Sequence, residues 1–165
     1  MIIRSLTARD RDRILEIVTA TGNFTPQEIA VALEVIDDAL AGDPEYLVNV
    51  LEADPGRVVG YECHGPTPLT EGTWDLYWIA VDPAAQGGGF GRALLEHAER
   101  DVRARDGRLL LIETSSQESY GATIRFYERC GYPLMARIKE FYRPGDDKLI
   151  FGRALRPAEA LEKSR

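Results

Sequence analysis

The chain is poor in cysteine, in positive charge and in long apolar segments. Its 165 residues include two cysteines, Cys63 and Cys130, and neither belongs to a CxxC motif or stands near a group of histidines. This spacing excludes a disulfide framework and a cysteine-rich metal site, and it is typical of a reducing compartment. We therefore expect two ordinary thiols, no bound metal and a cytoplasmic protein.

Positive charge is in deficit. Lys and Arg number 20 against 27 Asp and Glu, so the net charge is −7 and the pI is near 4.9. A nucleic-acid surface needs an excess of basic residues, so we expect no nucleic-acid partner and a mild preference for cationic ones. No segment approaches the roughly 20 consecutive apolar residues of a membrane helix, and the first residues lack an apolar stretch long enough for a signal peptide. We expect no membrane partner.

Length and composition are those of one globular domain. The chain is 44% apolar and 28% charged, and domains commonly have about 100–200 residues. No internal repeat or low-complexity segment interrupts it. We expect a single domain over residues 1–155 and a frayed C-terminal tail over residues 156–165.

Hydrophobic periodicity and turn residues divide the chain into strands and helices. The predicted strands are residues 2–6, 46–53, 57–64, 74–81, 108–114, 134–141 and 148–155, and the predicted helices are residues 8–21, 25–42, 90–107 and 120–129. The order β-α-α-β-β-β-α-β-α-β-β predicts a mixed α/β (α+β) fold, with a twisted central sheet of about six to seven strands flanked by about four helices.

Four glycines occur within five positions at the start of one predicted helix, in the segment VDPAAQGGGFGRALL, residues 81–95. Glycine weakens a helix or strand by roughly 0.5–1 kcal/mol relative to alanine, so the backbone itself has a role there. A strand, a glycine-rich loop and a helix N-terminus form an anion site, because unpaired N–H groups and the positive end of the helix dipole point the same way. A tight turn without a ligand is the alternative. The dinucleotide pattern G-x-G-x-x-G fails because Arg92 occupies its last position, and no Gly-Lys-Ser/Thr of a P-loop follows.

The segment from Gln86 to Gly91, QGGGFG, resembles the Q/R-x-x-G-x-G/A motif of the GNAT superfamily, the acyl-CoA-dependent N-acyltransferases. Its flanks, LYWIAVDPAAQGGGFGRALL, are similar to that family's fourth strand, pyrophosphate loop and following helix. TIRFYERCGY is similar to its later helix, with the tyrosine at Tyr127 and a closing Gly-aromatic pair. Together the two motifs, in the family's order, favour membership in the superfamily, with the fold predicted above.

The resemblance implies acetyl-CoA as cosubstrate. The backbone of Ile79, Ala80 and Val81 is expected to pair with the pantetheine arm like an added strand. The residues expected around the pyrophosphate are Gln86, Gly87, Gly88, Gly89, Phe90, Gly91 and Arg92. Two positions depart from the family pattern: Gly88 stands where Lys or Arg is frequent, so that Arg92 has to supply the cationic contact, and Tyr120 stands near the place of a common Asn.

Tyr127 is the candidate acid for the departing CoA thiolate, whose conjugate acid resembles a free thiol with pKa of about 8.5. A buried ring in the helix stripe is its alternative role. Asp75 stands where many family members carry a carboxylate and is the candidate base, with a solvated acid at a strand end as the alternative. Glu113 and His64 are the next candidates for the base; His64 and Glu62 are expected at an acceptor pocket, and His97 on a solvated helix face.

The resulting hypothesis is an N-acetyltransferase that moves an acetyl group from acetyl-CoA to a primary amine of a small molecule or protein, by direct attack in a ternary complex. A non-catalytic CoA-binding or ligand-sensing module is the alternative. We expect a small-amine acceptor beside Asp75, in a pocket walled by Trp74, Tyr77 and residues 65–72, because aromatic faces and a carboxylate suit a cation. The resemblance is also compatible with a homodimer.

Overall fold

Seven strands and four α-helices follow one another in the predicted order in the computed structural model, which describes residues 1–155. The strands are β1 (Ile2–Ser5), β2 (Leu47–Asp54), β3 (Arg57–Pro66), β4 (Thr73–Val81), β5 (Leu109–Ser115), β6 (Leu134–Arg143) and β7 (Asp146–Ala154). The helices are α1 (Arg11–Thr21), α2 (Pro26–Leu40), α3 (Phe90–Ala104) and α4 (Gly121–Arg129). The mixed α/β fold is confirmed, and the predicted tail lies outside the described residues.

The strands pair in the order β1-β2-β3-β4-β5-β7-β6. The pairing of β4 with β5 is parallel and runs from Thr73 opposite Leu109 to Leu76 opposite Ile112. The pairs β1–β2, β2–β3, β5–β7 and β6–β7 are antiparallel. Within the described residues no helix has the length and apolar character needed to cross a membrane.

The chain forms two compact units. Among the described residues, unit 1 comprises Met1–Gly65 and Tyr77–Ala98, and unit 2 comprises Pro66–Leu76 and residues 99–155. Strand β4 and helix α3 each contribute one part to each unit.

Unit 1 buries two apolar clusters. One contains Ile14, Ile36 and Tyr61, and lies where α1 and α2 cover β2 and β3. Helix α2 starts sharply there because Thr25 accepts a hydrogen bond from Glu28 N and the Glu28 carboxylate accepts one from Thr25 N, a capping box. The other cluster contains Leu51, Val59 and Leu94 of α3. The two clusters order β4 as well, since Trp78 and Ala80 pack on the first and Ile79 and Val81 on the second.

Unit 2 places α4 on one face of its strands. Leu76, Ile112 and Phe151 occupy aligned positions of β4, β5 and β7 and therefore share a face. The ring of Tyr127 packs there, 6.0 Å from the ring of Phe151. Behind α4 the Tyr132 hydroxyl donates to Glu99 Oε1 at 2.8 Å, and this bond anchors the segment that follows the helix.

The start of α1 depends on one buried carboxylate. A 3-10 turn over Ala8–Asp10 precedes α1, because Asp10 Oδ2 accepts hydrogen bonds from Thr7 N and Thr7 Oγ1. Arg4 forms a bidentate pair with the same carboxylate at 2.8 and 2.9 Å. The hydrogen bond from Arg4 is the main reason that the pKa of Asp10 falls from 3.8 to about 2.

We expect Asp10→Asn to lower the free energy of unfolding by about 2 kcal/mol at pH 7. The pKa of Asp10 is lower in the folded state than in the unfolded state, where it is 3.8. The ionised carboxylate therefore stabilises the folded protein above pH 3.8, and this stabilisation is lost as the pH falls through about 2. The difference between parent and variant should therefore shrink between pH 4 and pH 2 in urea titrations. Asp12→Asn, at an exposed position two residues away, is the control; equal losses in both variants would contradict the role of Asp10.

Candidate active site

The junction between β4 and the glycine loop is held by Asp82. Its backbone N–H donates to Val59 O at 2.8 Å, and its Oδ1 accepts from Ala84 N at 2.9 Å, so the side chain caps the short turn after the strand. Arg13 of α1 forms an ion pair with the same carboxylate and donates from Nε to Val58 O at 3.0 Å. The loop consequently begins at a fixed point in unit 1.

The glycine loop uses backbone conformations that side chains disfavour. Gly87 and Gly89 have φ of +86° and +78°, a region that L-residues other than Asn and Asp rarely adopt. A Cβ on Gly88 would lie 2.7 Å from the Phe90 ring, so a side chain at this position would require that ring to move. Gln86 Nε2 donates to Val81 O at 3.3 Å and draws the loop back onto the end of β4.

The residues of this loop fit a pyrophosphate. Helix α3 begins at Phe90, and Ala93 N is the first amide to donate within the helix, to Gly89 O at 3.0 Å. The N–H groups of the preceding turn have no intrahelical acceptor. They lie at the positive end of the helix dipole, beside three exposed glycines that leave the approach open. Ile79, Ala80 and Val81, the residues expected to pair with pantetheine, end β4 in the same unit.

Tyr127 and Tyr120 both belong to unit 2. Tyr120 precedes α4 as its N-cap residue, and Tyr127 lies within the helix with 5% of its surface exposed. Burial raises the pKa of the Tyr127 phenol above its ordinary value near 10. At neutral pH this hydroxyl therefore keeps its proton and is a hydrogen-bond donor. The ring of Tyr127 is therefore buried, as in the alternative interpretation, and its hydroxyl can donate a hydrogen bond.

Asp75 is half-buried on β4, one residue before Leu76, and therefore faces the side of unit 2 opposite to Tyr127. Thr67 Oγ1 donates to its Oδ2 at 2.5 Å. Burial raises the pKa of Asp75, and the nearby Glu113 carboxylate adds to this effect, whereas Thr67 and Lys148 oppose it. A carboxylate with a raised pKa is a better proton acceptor than an ordinary aspartate. Glu113 itself is exposed and paired with Lys148 at 2.7 Å.

Both histidines of the chain contact one buried carboxylate, which the sequence analysis did not foresee. Glu62 and His64 have no exposed surface, and Glu62 Oε2 lies 2.8 Å from His64 Nδ1. Asn49 Nδ2 donates to Glu62 Oε1 at 2.7 Å, and His97 Nδ1 lies 3.5 Å from the same oxygen. Burial by itself raises the pKa of Glu62, but these partners outweigh it and hold the pKa below the ordinary value.

This arrangement corrects two expectations. Glu62 and His64 do not border an open pocket, because both are completely buried. His97 does not lie on a solvated face, because α3 turns it toward Glu62 and leaves 27% of its side chain exposed. The alternation along β3 is the only sequence signal that places Glu62 and His64 together, and nothing local connects them with His97.

Trp74 is also placed differently from the expectation. It is 8% exposed, and its ring lies beside Gly107 and Val102 in unit 2, so it walls no acceptor pocket. Asp75, on the other face, is separated from it by the pleat of the strand.

Cys63 and Cys130 are free thiols, as expected. In residues 1–155 no group of three His, Cys, Asp or Glu side chains is arranged to hold a metal ion.

Comparison with known proteins shows the family. The acetyltransferase (GNAT) domain profile matches residues 44–133. The crystal structure of a protein assigned to the GNAT family of acetyltransferases, from Desulfovibrio desulfuricans, is 44% identical, with a TM-score of 0.90 over 94% of this chain and 99% of that one. The chain belongs to the GNAT acetyltransferase family.

More distant relatives have named activities. Mycothiol acetyltransferase of Amycolatopsis mediterranei is 28% identical over 132 residues, which are 75% of this chain and 43% of that protein. An aminoglycoside 6'-N-acetyltransferase complexed with coenzyme A shares the fold, with 17% identity and a TM-score of 0.75 over 95% of this chain and 98% of that one. The chain spans less than half of the length of the curated relatives that it matches. The predicted family and fold are confirmed.

We expect Gly89→Asp to raise the dissociation constant for CoA at least 10-fold, because it adds a negative charge where the pyrophosphate approaches. Parent protein at 100 times its dissociation constant should gain about 2.7 kcal/mol of stability in thermal melts. Gly56→Asp is the matched control: its φ is +77° against +78° at Gly89, and neither Cβ would meet an atom within 4 Å. Equal loss of CoA binding in both variants would remove the loop from the site.

Proposed function

We propose that the protein transfers an acetyl group from acetyl-CoA to a primary amine of a small molecule. The observation that carries this proposal is the glycine loop between β4 and α3, which offers backbone donors to a pyrophosphate in a chain of the GNAT family. The free thiols Cys63 and Cys130 accord with a reducing compartment, and we place the reaction in the cytoplasm.

Acetyl-CoA supplies an activated thioester. Gln86 to Arg92 hold its pyrophosphate, and the backbone of Ile79 to Val81 pairs with its pantetheine arm. A neutral amine attacks the thioester carbonyl; a C–N bond forms, the C–S bond breaks, the amine loses one proton and the CoA thiolate gains one. The chain has to receive the first proton and to stabilise the thiolate until solvent supplies the second.

Asp75 and Tyr127 take these two roles. Asp75 accepts the amine proton, directly or through water, and its raised pKa supports this role. Tyr127 keeps its proton at neutral pH and donates a hydrogen bond to the departing thiolate. The two groups act on different atoms: Asp75 acts on the attacking nitrogen, and Tyr127 on the departing sulfur.

We expect Tyr127→Phe to lower kcat about 10²-fold or more while the dissociation constant for CoA changes little, since only the hydroxyl is lost. The measurement is thiol release from acetyl-CoA with a panel of primary amines. Tyr132→Phe is the control, because it removes another buried hydroxyl of unit 2, bonded to Glu99, and should reduce stability rather than turnover. Turnover of Tyr127→Phe at the parent rate would make this tyrosine structural, and binding of CoA without turnover of any amine would favour the sensing module.

The pH dependence tests Asp75. In the parent, kcat/KM should rise with pH as Asp75 loses its proton, at a pH above the ordinary value of 3.8, and rise further toward the pKa of the amine. Asp75→Asn should lower the rate about 10²-fold and abolish the first rise. Glu113→Gln makes the same charge change at an exposed neighbour on the same face and should keep both rises. Identical profiles for parent and Asp75→Asn would exclude Asp75 as the base.

A further inference from the structure

Strand β6 leaves all ten of its residues exposed in the described structure. It is the last strand of the sheet and pairs with β7 on one side. The strand at the other end of the sheet, β1, has four residues, two of which are half-buried. A long, exposed strand at a sheet edge is a ready place for another chain to attach. The outer edge of β6 in unit 2 is therefore open to a partner.

Half of the large apolar side chains exposed in residues 1–155 belong to β6. Five of these ten side chains lie on this strand, each between 45% and 55% exposed: Leu134, Met135, Ile138, Phe141 and Tyr142. The other five are scattered over the chain start, α2, the loop before β4 and β4 itself: Met1, Ile2, Val31, Leu69 and Tyr77. Single exposed apolar residues are ordinary, whereas a contiguous group marks an interaction surface. We call the five residues of β6 the apolar edge.

The apolar edge projects to both faces of the sheet. Leu134 is aligned with Phe151 of β7, and Ile138 is aligned with Lys148. Phe151 and Lys148 are an odd number of positions apart, so their side chains point to opposite faces, and so do those of Leu134 and Ile138. A helix laid on one face would leave the other face uncovered. A partner that covers the whole apolar edge has to lie alongside β6, as another strand does.

The apolar residues of β6 have the same order in both directions along the strand. Counted from Ile138, they stand three and four positions before it, at Met135 and Leu134, and three and four positions after it, at Phe141 and Tyr142. Two antiparallel copies of β6 related by a two-fold axis at Ile138 therefore bring apolar residues together at every such position. The pairs are Ile138 with Ile138, Met135 with Phe141 and Leu134 with Tyr142. A two-fold interface requires this self-complementarity, whereas an unrelated partner does not.

The charged residues of β6 are compatible with this pairing. Arg137 and Arg143 form ion pairs with Asp147 and Asp146 of β7. The two-fold axis brings Arg137 opposite Lys139 of the second copy, and Asp147 already compensates the charge of Arg137 within its own chain. Like charges directly opposite each other would otherwise weaken the contact.

The exposed area is that of a stable dimer. A large apolar side chain has roughly 150–250 Å² of surface, so five of them at half exposure present roughly 500 Å². Arg137 and Arg143, which are more than half exposed, extend this toward the value of about 800 Å² per partner in a standard interface. The pairing of β6 with β7 is irregular between Ile138 and Arg143. We therefore assign the contact to side chains and not to a continued backbone ladder.

The sequence outside the described residues does not match the apolar edge. Residues 156–165, RPAEALEKSR, include one large apolar residue, Leu161, and four charged residues of the glutamate and lysine type and two arginines surround it. One leucine does not cover five large apolar side chains. A second copy of β6 supplies five.

The apolar edge adjoins the face of unit 2 that carries Asp75. Lys148 Nζ lies 4.4 Å from the centroid of the Phe141 ring and 2.7 Å from Glu113 Oε2. Asp75 is aligned with Leu111, two positions before Glu113, so the two carboxylates share this face. A second copy at β6 would therefore lie beside the face that holds the proposed base.

We propose that the protein forms a two-fold homodimer through β6, with the apolar edges of two copies side by side and Ile138 at the axis. A monomer leaves the apolar edge in water at the end of a sheet, where it favours open-ended association. A closed two-fold pair covers both edges at once. This inference does not depend on the proposed acetyl transfer, because association is measured without substrate.

The first test is the mass of the full chain in solution by sedimentation equilibrium. At micromolar concentration we expect twice the chain mass of 18.4 kDa. Ile138→Lys places two ammonium groups against each other at the axis and should raise the dissociation constant of the dimer by about 10-fold or more. Val31→Lys is the matched control, because Val31 on α2 is also 45% exposed, and it should leave the dimer intact. A monomeric parent, or equal dissociation constants for the two variants, would overturn the proposal.

The second test locates the axis. A cysteine at position 138 faces its own copy across a two-fold axis, so diamide should oxidise the two thiols of Ile138→Cys to one disulfide and produce a covalent dimer. Val31→Cys is the control, and the parent gives the background from Cys130, which is half-buried. Cross-linking of Ile138→Cys no greater than that of Val31→Cys would overturn the assignment of the interface to β6.

Discussion

The bonds of Asp82 fix the end of β4 and the start of the glycine loop in unit 1. Three elements meet at this residue: Arg13 from α1, the Val59 carbonyl from β3 and the turn that Asp82 caps itself. A strand that ended without such bonds would leave its last amides free to fray. Because the end of β4 is fixed, the glycine loop has a defined position even though the backbone amides of its glycines lack partners within the loop.

The glycine loop requires backbone conformations that disfavour side chains. Gly87 and Gly89 have positive φ, and Phe90 closes over Gly88. Glycine removes the steric penalty but increases the conformational entropy lost on folding. The first turn of α3 packs Phe90 and Ala93 against Leu51, Val59 and Leu94, and this apolar contact offsets the loss of entropy. The glycine loop and the core are thus parts of one packing arrangement.

The buried and the exposed carboxylates of unit 1 differ in their need for hydrogen-bond partners. The buried carboxylates Asp10 and Glu62 are each surrounded by hydrogen-bond donors, because an unpaired buried charge would strongly destabilise the fold. Exposed carboxylates of the same unit, such as Asp38 and Glu45, have no such requirement because water solvates them.

The order of the strands and helices and the position of the glycine loop can be predicted from the sequence. Periodicity, caps such as Thr25 and turns such as the Pro55-Gly56 pair are local properties of the chain, so they can be read without the fold. The motif from Gln86 to Gly91 is local for the same reason, since backbone conformation depends on neighbouring residues. The contacts between residues far apart in the sequence depend on the tertiary structure. His97 meets Glu62 across 35 positions, Tyr46 meets Tyr77 across 31, and Trp74 faces Val102, because helix packing on a sheet joins residues that no sequence period relates.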